Sequence, residues 1–139
     1  FILNDQDGNQ HELKHYKGKK LVIYFFPKVF TPGWTKQACG LRDNYTSFKT
    51  KNISILGVSY DSQMQLKEFK EKYDLEFDLL SDSEKTMGKL YGVNSFYFFP
   101  QRKTFLINEE GKLVHVIDSV NIDSHANDIL EIFKKIQGA

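Results

Sequence analysis

Apolar positions along the chain follow two periods, and the alternation between them predicts the elements. Leu21 to Phe26 (LVIYFF) is an unbroken apolar run of strand length, read as a buried strand. From Pro32 to about Thr50 the apolar positions are Trp34, Ala38, Leu41, Tyr45 and Phe48. Their alternating steps of four and three predict a helix with one apolar stripe. Pro32 suits the first turn, where a missing N–H costs nothing. Ile53 to Tyr60 is a second β-rich run, and Phe77 to Leu80 a short third. Ser62 with Gln65 forms a capping box before a helix carrying Leu66, Phe69 and Tyr73. Ser81 with Glu84 reads as another capping box, ahead of Met87, Leu90 and Tyr91. Lys103 to Asn108 and Lys112 to Asp118 are strands joined at EEG. The closing helix places Ala126, Ile129, Leu130, Phe133 and Ile136 on one stripe. At the start, Phe1 to Leu3 and Gln10 to Leu13 flank DQDG, whose Asp-Gly pair signals a hairpin.

Strands alternating with helices and ending in a hairpin predict an α/β fold: a mixed sheet, parallel where helices cross over, flanked by helices and carrying an N-terminal β-hairpin. This element order is that of a thioredoxin-like fold with an N-terminal extension. A chain of 139 residues has the size of one domain, so residues 1–139 are read as a single unit. It starts at Phe1 without Met, and the reading allows for truncation there.

Composition narrows the function classes. Nineteen Lys and Arg stand against 18 Asp and Glu, a formal net charge of +1. That balance gives no reason to expect nucleic acid or a charged membrane as partner. The single cysteine excludes an internal disulfide in this chain and fits a reducing compartment. No apolar run approaches membrane-span length and no signal segment is visible, so the expectation is a cytoplasmic protein.

The chemistry is concentrated in TPGWTKQACG, residues 31–40, directly behind the buried strand. Strand, tight turn and helix start form the place where open α/β sheets put ligands. The residue at the turn, however, is Trp34, and the lone thiol, Cys39, follows five residues later.

The stretch PKVFTPGWTKQACGLRDNY resembles the active-site segment of the peroxiredoxins, in the bacterioferritin-comigratory or Q-type subfamily. Pro27, Thr31, Pro32, Gly33, Cys39, Gly40, Arg42 and Asp43 fall on that pattern, and LLSD at 79–82, YGV at 91–93 and PQRKTFLINEEGKL at 100–113 resemble later landmarks. The resemblance runs from Phe1 to the last helix. It implies a thiol peroxidase that reduces hydrogen peroxide and organic hydroperoxides, takes electrons from thioredoxin or a similar thiol reductant, needs no cofactor or metal, and is a monomer or weak dimer. It assigns the peroxidatic cysteine to position 34 and the resolving role to Cys39. Thr31 and Arg102 would hydrogen-bond the peroxide, and Pro27 would shield the site from water.

The chain departs from the pattern at its centre. Indole has one N–H donor and no ionisation near neutrality, so Trp34 cannot do the work of a thiolate. Three readings stay open. Trp34 replaces a cysteine or selenocysteine in an otherwise working enzyme, each codon being one base away. Alternatively, the chain is a redox-dead interaction module that binds a protein partner over FYFF at 96–99. In the third, Cys39 takes over as nucleophile, which helix geometry disfavours: five residues are about 7.5 Å of rise and about 140° of rotation. A pocket shaped for peroxide is small for an indole, which predicts an expelled ring and an irregular helix start over residues 32–36. The remaining candidates read as ordinary side chains. Thr31 also suits a helix cap. His11 and His15 have i, i+4 spacing without a third ligand at a matching offset, so both are expected to be solvated, and His115 and His125 read as isolated.

Overall fold

The computed structural model describes residues 1–26, 28–29, 32–93, 103–117 and 124–137, without the side chains of 32–34 and 136–137. Seven strands form one sheet in the order β2-β1-β5-β4-β3-β6-β7. The strands are β1 (Ile2–Asp5), β2 (Gln10–Glu12), β3 (Lys20–Phe25), β4 (Ile53–Ser59), β5 (Asp78–Ser81), β6 (Thr104–Ile107) and β7 (Leu113–Ile117). The helices are α1 (Pro32–Asp43), α2 (Tyr45–Thr50), α3 (Gln63–Lys72), α4 (Thr86–Leu90) and α5 (His125–Gln137), with a 3-10 turn at Leu13–Tyr16.

β3 is an interior strand, parallel to β4 on one side and antiparallel to β6 on the other, and β4 is parallel to β5. This is the mixed sheet expected from the element order. Every residue of β3 is buried because the two sides of its pleat enter two cores. Val22, Tyr24 and Phe26 pack with Ala38 and Leu41 of α1, Phe48 of α2, Leu66 and Phe69 of α3, and Ile129 and Phe133 of α5. Leu21, Ile23 and Phe25 pack on the opposite face with Leu56, Val58, Leu80, Phe105 and Met87 of α4. A continuous apolar run, rather than an alternating one, is what a strand covered on both faces requires.

The N-terminal hairpin is not an appendage. β1 pairs antiparallel with β5, with Asn4 opposite Ser81 and Asp5 opposite Leu80, so it extends the sheet. Two local expectations are corrected. The single helix over 32–50 is two helices, because the chain leaves helical geometry at Asn44, where φ is −103° and ψ 8°. The capping box assigned to Ser81 and Glu84 does not form: Ser81 ends β5, and Asp82 instead accepts the Met87 and Gly88 N–H groups at 3.1 and 2.7 Å. A buried carboxylate meeting the unpaired donors of a helix start does the same job one residue along. The Ser62–Gln65 capping box forms as expected.

Candidate functional site

The site is built at the carboxyl end of β3. The Phe26 N–H donates to the Val58 carbonyl at 3.0 Å, and the Phe25 N–H to the Lys103 carbonyl at 2.9 Å. Lys103, the residue just before β6, therefore lies beside Phe25, the last residue of β3. The connection towards α1 is fastened by Asp61, which is 8% exposed. Its Oδ2 accepts the Val29 N–H at 3.0 Å and the Ser59 hydroxyl at 2.7 Å. Its carbonyl accepts the Ser81 hydroxyl at 2.7 Å. One acidic residue, through its carboxylate and its carbonyl, thus joins the strand-to-helix connection to the ends of β4 and β5.

α1 is helical from Pro32, so position 34 falls in its first turn, where unpaired N–H groups and the helix dipole favour negative charge. The irregular start expected over residues 32–36 is corrected: the backbone there is α-helix, with the Pro32 ring's fixed φ suiting the first position. Ala38 and Leu41 are buried, which confirms the stripe, and Cys39 is a half-buried free thiol beside it. Arg42 closes the helix by donating from Nη1 to the Tyr73 carbonyl at 2.8 Å and from Nε to Asp43 at 3.1 Å. Pro27, Thr31, Arg102, the Trp34 side chain and the FYFF stretch lie outside the described residues.

One part of the site was not legible in the sequence. Gln37, one turn beyond position 34, lies 3.0 Å through Nε2 from His125 Nδ1, and His125 Nε2 lies 2.8 Å from the Thr104 hydroxyl. All three residues are at most 2% exposed. His125, read as isolated, is therefore the middle of a buried bridge from α1 through α5 to β6. The spacing from 37 to 104 to 125 carries no local signal. Asp61 was missed as well, although Ser-x-Asp at a strand end ahead of a capping box is a recognisable cue.

Comparison with known proteins agrees with this architecture. Residues 1–116 match the AhpC/TSA family. Peroxiredoxin Bcp of Escherichia coli K12 is 40% identical over 97% of this chain and 91% of its own. Chloroplastic peroxiredoxin Q of Oryza sativa subsp. japonica is 37% identical over 98% of this chain and 64% of its own. Among solved structures, peroxidoxin BcpB of Mycobacterium tuberculosis superposes with a TM-score of 0.90 at 32% identity, covering 98% of this chain and 92% of that one. The bacterioferritin comigratory protein of Xanthomonas campestris, studied for alkyl peroxide reduction, gives 0.90 at 31% identity, covering 97% and 90%. With its sheet order, its helix start behind β3 and these relatives in agreement, the chain belongs to the AhpC/TSA family, among the peroxiredoxins of the Bcp and Q type.

Proposed function

We propose that this chain is the scaffold of a thiol-dependent peroxide reductase whose attacking residue is absent, so that it does not turn over peroxide as written. The observation that carries the reading is the placement of position 34, occupied by Trp, in the first turn of α1 behind the buried strand β3. In the reaction that the family resemblance implies, a thiolate at this position attacks one oxygen of the peroxide. The O–O bond breaks, the sulfur becomes a sulfenic acid, and the leaving oxygen departs as alcohol or water once protonated. Thr31 and Arg102 would hold the peroxide and stabilise the developing negative charge, with Pro27 excluding water. The Cys39 thiolate would then attack the sulfenic sulfur, releasing water and forming a disulfide that a dithiol reductant of thioredoxin type reopens.

That second step has a conformational requirement. A disulfide needs Cα atoms within about 7 Å and Cβ atoms facing each other. Positions 34 and 39 on one helix are about 7.5 Å apart in rise alone and about 140° apart in direction. α1 must therefore unwind locally, giving up the Gln37–His125 contact and part of the packing of Ala38 and Leu41.

The test is Trp34→Cys with peroxide consumption followed by stopped flow in the presence of thioredoxin. The chain as written is expected to show no turnover above background, and the variant to gain a sulfenic acid and then a 34–39 disulfide. An inactive but folded Trp34→Cys protein would instead identify a redox-dead module.

A further inference from the structure

From the convergence of three ligand atoms on three strands, we infer that Asp5, His11 and Asp78 form a binding site for a divalent cation of zinc type, away from the peroxide site. Their donor atoms all lie within 4.8 Å of one another. Contrary to the expectation from the sequence, His11 is not solvated, and His15, four residues on, is not its partner. His11 Nε2 stands 2.7 Å from Asp5 Oδ2 and 3.7 Å from Asp78 Oδ2. Strand register produces the cluster. His11 on β2 pairs with Leu3, two residues before Asp5, and Asp5 pairs with Leu80, two residues after Asp78. Asp5 is thus the diagonal neighbour of His11 on one side and of Asp78 on the other, close enough to interact across strands.

The remaining atoms of these groups are held from behind. Asp5 Oδ1 accepts the Asp7 and Asn9 N–H groups at 2.9 and 3.0 Å. Asp78 Oδ1 accepts Gln6 Nε2 at 3.0 Å and Lys70 Nζ at 2.9 Å. His11 Nδ1 lies 2.6 Å from the Tyr16 hydroxyl. What faces inward is one imidazole nitrogen and one oxygen from each carboxylate, and Asp78 Oδ2 accepts no hydrogen bond among the described residues. An imidazole fixed through its far nitrogen, with carboxylates fixed through their second oxygens, is the support that metal ligands require. Zinc bonds nitrogen and oxygen at about 2.0–2.2 Å, so tetrahedral ligands stand about 3.3 Å apart. The 2.7 and 3.7 Å separations bracket that value. On binding, Zn²⁺ takes the Nε2 lone pair of the His11 tautomer that carries its proton on Nδ1 and donates it to the Tyr16 hydroxyl, so a proton held between Nε2 and Asp5 is displaced to solvent, and water completes the coordination. Lys70, against the outer oxygen of Asp78, is the one described cation bonded to the cluster, and its charge opposes the metal.

The experiment is calorimetric titration of the chelator-treated full chain with zinc chloride, together with thermal melts. The expected result is one bound equivalent and a raised Tm, because a metal bridging β1, β2 and β5 binds only the folded chain. Asp78→Asn keeps an acceptor for Gln6 and Lys70 but removes the inward ligand, and should weaken binding at least tenfold, as should His11→Ala. Lys70→Met removes the opposing charge and should tighten binding about tenfold. Absence of a zinc isotherm would overturn the proposal. So would an isotherm unchanged in folded Asp78→Asn and His11→Ala, which would put the metal on His15, His115 or Cys39.

Discussion

At the scale of single residues, side chains and even missing side chains set how closely segments approach. Gly57 on β4 is the clearest case. A Cβ there would meet Leu79 Cδ2 at 2.9 Å, the Tyr24 hydroxyl oxygen at 3.1 Å and Phe26 Cε1 at 3.2 Å. Its neighbours are core residues of β3 and β5 next to the site, with Tyr24, Phe26 and Leu79 fully buried. Gly57→Ala is expected to cost about 1–3 kcal/mol through overpacking, read as a lower midpoint in urea unfolding. A wild-type midpoint would mean that Leu79 moves aside freely. Asp61 works in the opposite sense, adding contacts by joining Val29, Ser59 and Ser81. Trp34 differs from both: the helix backbone at its position is regular, and the loss proposed for it is one of chemistry, not of fold.

At the scale of elements, α1 carries conflicting demands. Its buried stripe and the Gln37–His125–Thr104 bridge fasten it to the sheet. Chemistry between positions 34 and 39 would need it to open. The bridge is the part of that balance a single substitution can shift. His125→Ala removes one buried hydrogen-bond partner from Gln37 and one from Thr104, at roughly 1–3 kcal/mol in all. Amides of Thr35–Asp43 should then exchange at least tenfold faster in hydrogen–deuterium exchange, with the interior amides of β3 and β4 slowed or accelerated far less. Equal acceleration throughout would show that the bridge supports the whole fold instead of α1. In a Trp34→Cys background the same substitution should hasten disulfide formation.

At the scale of the whole molecule, one seven-stranded sheet collects all the elements and separates two apolar cores. No helix among the described residues is long and apolar enough to cross a membrane. We propose that residues 1–139 unfold as one domain, since both cores share β3 and each loses its floor when that strand leaves. Trp34 is the single tryptophan in the chain and so gives a reporter at the start of α1. Its fluorescence and the far-UV circular dichroism should follow one coincident denaturant transition. An earlier fluorescence transition would show that the site helix opens as a separate unit.

The sequence by itself determined what depends on local periodicity and local chemistry. LVIYFF read as a buried strand, the Ser62–Gln65 pair could start a helix without outside help, and the order of elements was enough for the fold class. The motif around position 34 pointed to the peroxiredoxin family, because that pattern lies within one continuous stretch. Tertiary structure alone decided which distant residues share a contact. His125 and His11 looked isolated or solvated because their partners, at 37 and 104 or at 5 and 78, arrive through helix packing and strand register, which leave no spacing along the chain to read. The same reason explains α4, where Asp82 rather than Ser81 meets the helix start: β5 runs one residue further than its apolar pattern, and pairing with β1 settles where it stops.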